Sequence, residues 1–496
     1  MSTDNHLYRS LKSGTDIRGI ASDGVPGQPV TLTDDVILTI ARAFAQWLCT
    51  RRSKPGPALT VSVGHDSRIS ADRIKNGVIK GLTEAGISVL DCGLSSTPAM
   101  FMTIVDLGCD ASIQITASHH PFNRNGLKFF TPEGGLDGSD ISELLSLCET
   151  AVEKQECLGK ITVVDYMSQY AKRLRDMICR EVNAPDYDRP LTGFKLVVDA
   201  GNGAGGFYCD KVLAPLGADT TGSLFLEPDG LFPNHIPNPE DETAMKFISE
   251  ATVRNQADLG IIFDTDVDRA GCVDANGQEI NKNRLIALAA AIALENSGGT
   301  VVTDSITSTG LKEFIEQELH GTHHRFRRGY KNVINEALRL NQEGIDCPLA
   351  IETSGHAALR ENYFLDDGAY LITKIIIFAA KLRESGKTLD SVLKKLKMPA
   401  EEKELRFKIT GENFTEYGHQ IITDLTGYIA GQDGYTVAPD NHEGIRASNS
   451  TGWFLIRMSV HDPVMPLNIE SDIPGGIQPM EAFIKDFLKR YDRIEF

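Results

Sequence analysis

Two short stretches hold residue types that could do chemistry together. Residues 114–130, QITASHHPFNRNGLKFF, set the hydroxyl of Ser118 beside the imidazoles of His119 and His120, followed by Asn125-Gly126 and Lys128. An isolated Ser-His pair means little. This one closes an apolar, strand-like run and precedes turn residues, so the hydroxyl should stand at the carboxyl end of a strand, where open α/β sheets bind ligands. Residues 261–271, IIFDTDVDRAG, place Asp264, Asp266 and Asp268 after another apolar run, with Arg269 next. Carboxylates this close repel: at about 5 Å and an effective dielectric near ~20, each pair costs about 3 kcal/mol. A hard divalent cation removes that cost, and oxygen donors suit Mg²⁺. A solvated acidic turn is the plainer alternative. An EF-hand is excluded, because its sixth and twelfth positions need Gly and Glu and here hold Arg269 and Ala275.

Three further loops carry weaker signals. In AIETSGHAAL, Glu352 and Ser354 leave an apolar run two residues apart, so on extended backbone they would face one side and could meet adjacent sugar hydroxyls. A helix N-cap at Thr353 or Ser354 would explain the same residues. In EGIRASNSTGWFLIR, Arg446, Ser448, Asn449, Ser450 and Thr451 crowd donors into one turn, with Arg457 beyond. That set could cradle a phosphate; a polar hairpin turn is the alternative. Gly201, Gly203 and Gly206 of GNGAGG match GxGxxG, but no acidic residue follows a second convincing strand, so a tight glycine turn is preferred to dinucleotide binding. GTDIRG with Arg18, GHDSR with Asp66 and Arg68, RFRRGYKNV with Arg327, Arg328 and Lys331, and DGLFPNHIPNPED identify nothing alone. Arginines in such Gly-flanked loops are usually surface residues.

The elements that must position these loops alternate. ALTVSVGHD precedes the amphipathic ADRIKNGVIKGLTEAG, then ISVLDCG and DASIQITAS follow, and the alternation restarts at FKLVVDA, ADLGIIF, TVVTDS and CPLAIE. Strands alternating with helices predict βαβ units and mixed, largely parallel sheets, whose buried strands read as continuous apolar runs. KKLKMPAEEKELRFKITGEN is charged and contains proline, as a linker would. After it come short strands and a closing helix, PMEAFIKDFLKRY, which predict an α+β unit. The expected division is three α/β domains, 1–165, 166–279 and 280–395, and a C-terminal α+β domain, 396–496. Length alone suggests about three or four domains.

Bulk composition narrows the class. The 496 residues carry a formal charge of -18, which disfavours a nucleic-acid backbone or an anionic membrane as the main partner. Nine scattered cysteines without a CxxC pair fit free thiols in a reducing compartment. The N-terminus shows no signal-peptide pattern, and the most apolar runs, LIALAAAIAL and IIIFAA, are too short to span a bilayer. The expectation is a cytoplasmic protein without membrane or nucleic-acid partners, monomeric or dimeric.

Taken in order, the loops resemble those of the α-D-phosphohexomutase family over nearly the whole chain. TASHHPFNRNGLK is similar to its phosphoserine loop, DTDVDR to its magnesium loop, ETSGH to its sugar loop and RASNST to its phosphate loop. The Glu-x-Ser sugar loop and DGLFPNHIPNPED look like the phosphomannomutase/phosphoglucomutase branch. The resemblance implies four domains around a central cleft, one key loop from each. It implies that Ser118 carries a phosphoryl group and that Mg²⁺ is held by Asp264, Asp266, Asp268 and a phosphoserine oxygen. Arg18 and Arg269 would assist at that group. Lys128 would be general acid/base, with His119 near enough to help. Glu352 and Ser354 would bind sugar; Arg446, Ser448, Asn449, Ser450, Thr451 and Arg457 would grip the unreacting phosphate. The implied reaction interconverts glucose or mannose 1- and 6-phosphates through a 1,6-bisphosphate, which would also serve as activator.

The resemblance has departures. His120 stands where Asn is usual, DTDVDR replaces DGDGDR, and STGWF replaces a Thr-x-Pro ending. Phosphoglucosamine mutase, a non-catalytic sugar-phosphate binder and a Mg²⁺-dependent phosphatase are the alternatives. A haloacid-dehalogenase phosphatase also opens on strand-DxD, but Asp268 stands where it usually has Thr or Val.

Overall fold

Apolar runs and amphipathic segments form the elements that their periods dictate. The computed structural model describes residues 4–149, 158–295, 298–459 and 462–496. The amphipathic ADRIKNGVIKGLTE is helix Ala71–Glu84, burying Ile74, Val78, Ile79 and Leu82 along one side. Its neighbour Asp34–Arg52 starts at the Thr33 cap and ends at Ser53 in left-handed backbone. The chain forms two compact units. The first holds residues 1–281, 354–358 and 365–389; the second holds 282–353, 359–364 and 390–496.

In the first unit, the N-terminal sheet runs in the order Lys12–Ser13, Asp16–Ile20, Arg124–Thr131, Ala111–Ile115, Thr60–His65, Ser88–Leu94, Ile161–Val163. The last four are mutually parallel, while Arg124–Thr131 returns antiparallel beside Ala111–Ile115. That reversal sets the serine loop at the carboxyl end of a strand buried along its length. A second sheet pairs Leu196–Asp199 parallel with Leu259–Phe263, which pairs antiparallel with Ala270–Asp274. The aspartate loop is therefore the connection of a hairpin between two fully buried strands. Helix Gly368–Glu384 belongs to this unit, where Tyr170 donates to Asp367 at 2.6 Å and Lys374 donates to Glu181 at 2.9 Å.

In the second unit, Thr322–Phe326, Thr300–Asp304 and Leu349–Ile351 form a parallel trio. The C-terminal sheet is antiparallel between Ile445–Asn449, Gly452–Ile456, Val464–Ser471 and Glu401–Ile409. Helices Phe414–Ala430 and Ile477–Leu488 share its core with Phe407, Phe454, Leu467 and Ile469. The expected linker is thus only half a linker. EEKELRFKI is strand Glu401–Ile409, whose charges sit mostly on exposed positions and whose Phe407 and Ile409 enter the core. Three α/β domains and a C-terminal α+β domain are present. None of the eight described cysteines forms a disulfide; Cys157 lies outside the described residues. Among the described residues no helix is long and apolar enough to cross a membrane.

Candidate active site

Ser118 follows its strand in left-handed backbone, φ 50°. For a side-chain-bearing residue this conformation costs about 1–3 kcal/mol and persists where surroundings over-determine it. The hydroxyl is buried. Its Oγ donates to Asp264 Oδ2 at 3.0 Å, accepts from Arg269 Nη2 at 3.2 Å and lies 3.3 Å from His119 Nδ1. The serine and the aspartate hairpin, distant in sequence, are therefore in direct contact.

Asp264, Asp266 and Asp268 bring one carboxylate oxygen each within 4.8 Å of the others. Two cations answer them. Lys128, from strand Arg124–Thr131, donates to Asp266 Oδ2 at 3.0 Å and to Asp268 Oδ2. Arg269 reaches Asp264 Oδ2 through Nε at 3.2 Å, and Asn238 through Nη1 at 3.1 Å. Asp266 Oδ1 and Asp268 Oδ1 are buried without a hydrogen-bond partner. An all-oxygen donor set with orphaned, inward oxygens fits a hard divalent cation. Burial, with Asp268 and Asp266 alongside, pushes the Asp264 carboxyl well up. Burial also opposes charge on Asp268, but Lys128, His356 and Arg269 outweigh it and hold that carboxyl below the usual range.

The loop holds side-chain-bearing residues where the family pattern has two glycines. Val267 takes φ 66°, left-handed and fully buried. The hairpin is held from outside by helix Thr97–Leu107, whose Thr97 N–H donates to the Asp266 carbonyl at 2.8 Å and whose hydroxyl donates to the Asp266 carboxylate. Nothing in the sequence pointed to Thr97. The nearest signal is Ser96-Thr97-Pro98, a helix start: Ser96 Oγ accepts from Ala99 N–H.

The histidines differ. Burial and the charge of Arg269 pull His119 down to about 2, so it is neutral, and Arg269 Nη2 hydrogen-bonds its Nδ1. His120 is pulled down to about 4 by burial and by Arg18. His356, not singled out from sequence, pairs with Asp366 and stands 4.0 Å from Asp268. Burial opposes its charge, but Asp366 and Asp268 outweigh burial and raise it to about 9. It reaches this position because segment 354–358 runs beside the aspartate hairpin, with Arg269 and His356 bridged and Ala270 N–H donating to Gly355 O. Arg18 lies on strand Asp16–Ile20 opposite Gly126 and pairs with Asp16 at 2.7 Å.

Ser354 lies in this unit, in a turn rather than on a strand or at a helix start; strand Ala357–Leu359 follows it. Glu352 and the phosphate-loop residues lie in the second unit. There Glu352 Oε1 accepts from Gly329 N–H at 2.6 Å. Ser450 and Thr451 are the two-residue turn of a hairpin in which Asn449 Oδ1 accepts from Thr451 N–H, Thr451 Oγ1 and Gly452 N–H. Ser448 and Ser450 are exposed. Arg446 is buried, donates to Ser305 O at 2.9 Å, and its guanidinium lies 3.5 Å over the Trp453 ring. Trp453 Nε1 donates to Glu470 at 2.8 Å. Arg457 is buried just past strand Gly452–Ile456 and donates to Met458 O at 3.3 Å.

Two expectations about minor loops resolve differently. GNGAGG is a packing device: a Cβ on Gly203 would stand 2.8 Å from Thr265 Cα in the aspartate hairpin. Arg68, expected at the surface, is fully buried.

Comparisons with known proteins agree with this geometry. Residues 10–154, 168–277 and 281–398 match domains I, II and III of phosphoglucomutase/phosphomannomutase. A phosphoglucomutase of Neisseria gonorrhoeae is 30% identical over 97% of this chain and 96% of its own. A phosphomannomutase/phosphoglucomutase of Pseudomonas aeruginosa is 28% identical, over 98% and 97%. The crystal structure of a phosphoglucomutase/phosphomannomutase family protein from Burkholderia thailandensis superimposes with TM-score 0.77 at 26% identity, covering 99% of this chain and 98% of that one. The three matched domains and full-length relatives lead to one conclusion: the chain belongs to the α-D-phosphohexomutase superfamily, among the relatives of phosphoglucomutase/phosphomannomutase.

Proposed function

We propose that the protein interconverts hexose 1-phosphate and hexose 6-phosphate, glucose and/or mannose, through phospho-Ser118 and a 1,6-bisphosphate. The observation that carries this reading is the contact of Ser118 Oγ with Asp264 and Arg269 beside three clustered carboxylates. Phosphoryl transfer needs positioning and charge stabilisation more than covalent help, and this site offers both. Asp264, Asp266 and Asp268, with Ser118, would hold Mg²⁺, which when bound neutralises charge on the transferring group.

In the first half-reaction, a hexose 1-phosphate hydroxyl oxygen bonds to the phosphorus of phospho-Ser118. The Oγ–P bond breaks, and the hydroxyl proton passes to a base. The bisphosphate then reorients, and its other phosphoryl group returns to Ser118 while a proton returns to the sugar oxygen. Lys128 is the proton carrier of this reading, and His356, close to the same carboxylate cluster, is a second. His119, neutral and bonded to Arg269, orients that arginine. Arg269 and Arg18 steady the phosphoryl oxygens. Glu352 and Ser354 bind sugar hydroxyls; equatorial hydroxyls at C3 and C4 are common to glucose and mannose. Arg446, Ser448, Asn449, Ser450, Thr451 and Arg457 hold the unreacting phosphate. Glucose or mannose 1,6-bisphosphate is the activator, sugar phosphates are the small-molecule partners, and the protein is a monomer or dimer. We assign domains to 1–165, 166–279, 280–395 and 396–496, and place the protein in the cytoplasm.

The test is a coupled assay with glucose 1-phosphate, mannose 1-phosphate and glucosamine 1-phosphate, each with a trace of the matching bisphosphate. Isomerisation of the first or second is expected. Intact mass should show one phosphate on wild type after bisphosphate treatment and none on Ser118→Ala. Phosphate release without isomerisation would overturn the reading in favour of a phosphatase.

A further inference from the structure

Three motifs remain outside this chemistry: GHDSR, GNGAGG and DGLFPNHIPNPED. They converge on one side chain. Arg68 is fully buried, and its guanidinium donates to four backbone carbonyls of the serine loop. Nη2 reaches Ser118 O and, at 2.6 Å, His120 O; Nη1 reaches Pro121 O at 2.8 Å and Arg124 O at 2.9 Å. A planar fork is the shape that can satisfy several carbonyls at fixed angles, which an ammonium cannot do.

Arg68 is itself held. Nε stands 3.3 Å from Asp66 Oδ2, and Arg68 N–H donates to Asp66 Oδ1 at 2.9 Å. Asp66 also accepts from Thr116 Oγ1 at 2.7 Å, and Thr116 Oγ1 accepts from Ser118 N–H at 2.9 Å. Both backbone groups of Ser118 are therefore tied to the Asp66–Arg68 pair, directly or through Thr116. From the second α/β domain, Phe232 lies against the guanidinium, ring centroid 5.2 Å from Cζ. Gly230 brings that loop against the backbone of Arg68: a Cβ there would fall 2.4 Å from Ile69 N and 2.5 Å from Ser67 O. Asn202 of GNGAGG ties the same loop down, donating to Glu227 O at 2.8 Å and accepting from Asn234 at 2.8 Å.

We infer that Arg68 is the positioning residue of the reactive serine: clamped between Asp66 and Phe232, it holds Ser118 in its left-handed backbone so that the hydroxyl faces Asp264. Arg68 touches no reacting atom. The inference rests on the mutase reading of Ser118.

The experiment compares wild type, Arg68→Ala and Arg68→Lys by three readouts: kcat and KM for glucose 1-phosphate, hydrogen exchange of the peptide spanning residues 115–127, and rescue by free guanidinium. For Arg68→Ala, kcat should fall about hundredfold, the cost of misplacing a reacting group by about 1 Å, while KM moves less than about threefold. Exchange should rise in that peptide, and guanidinium should restore kcat at least about tenfold by refilling the fork's place. If Arg68→Ala does not fold, Arg68→Lys carries the kinetic and exchange readouts, with the same KM-against-kcat split. A variant within about threefold of wild type in kcat, a loss that appears in KM, or a folded Arg68→Ala that guanidinium does not restore would each overturn the inference. If wild type itself fails to isomerise, the mutase reading falls, and exchange alone decides whether Arg68 clamps the loop.

Discussion

At the scale of single residues, the site accepts strain in order to aim side chains. Ser118 and Val267 both occupy left-handed backbone although both carry a side chain, and both lie in loops of the candidate site. Where the family pattern has glycine, this chain places Val267 in left-handed backbone. Trp453 is a second departure with a visible consequence, because its ring supports Arg446 at 3.5 Å. An arginine desolvated over an aromatic face gains about 0.5–2 kcal/mol. Trp453→Leu should therefore raise KM for glucose 1-phosphate up to about tenfold while leaving kcat nearly unchanged. Trp453 emission should also shift when glucose 1,6-bisphosphate is titrated in. Unchanged KM together with unchanged emission would remove Arg446 from the phosphate grip. Ser118, Asp264, Asp266, Asp268 and Arg269 were legible as candidates because their loops follow apolar runs, whereas the role of Lys128 came only with the family resemblance. Thr97 and Arg68 were not, because a threonine at a helix start and an arginine in a turn look the same whether buried or exposed.

At the scale of elements, alternation of apolar runs read the central strands and several helices of the α/β domains, but strand Asp16–Ile20 and part of strand Thr322–Phe326 lay in motifs read as loops. Charge misled once. Residues 401–409 read as linker because six of nine are charged, yet they form a strand. An edge-like strand against one core face needs only alternate apolar residues, here Phe407 and Ile409. The phosphate-loop hairpin shows the opposite economy: one side chain, Asn449, accepts three bonds and closes the turn. Asn449→Ala should lower unfolding stability of the C-terminal domain by about 1–3 kcal/mol, measured by urea titration followed at Trp453. A change within error would mean that the backbone closes the turn unaided.

At the scale of the whole molecule, two units with separate cores should unfold in separate steps. Mg²⁺ at about 100 times its dissociation constant should stabilise by about 2.7 kcal/mol the unit that holds the three aspartates, and EDTA should reverse this. The C-terminal transition should carry its own response to pH, set by Glu470. Burial pushes the Glu470 carboxyl from 4.5 up to about 7, against the pull of Arg446 and the Trp453 N–H. The folded state thus binds that proton more tightly than the unfolded state. Its contribution to stability is complete below about pH 4.5 and is lost as pH rises through about 7. Calorimetry should show this slope in the second transition, and Glu470→Gln should flatten it there. A single transition that moves with both Mg²⁺ and pH would contradict the division.

The sequence by itself determined candidate residue types, though not His356, and most of the elements that carry them, because hydrophobic period and turn chemistry are local. Only the tertiary structure decided which loops meet. Ser118 and Asp264 touch although 146 positions separate them, and His356 joins from a segment that returns to the first unit. The reason is physical. A short-range pattern sets backbone conformation one element at a time. Contact between distant loops depends on how sheets and helices bury their apolar faces against each other, a property of the assembled core that no single stretch contains.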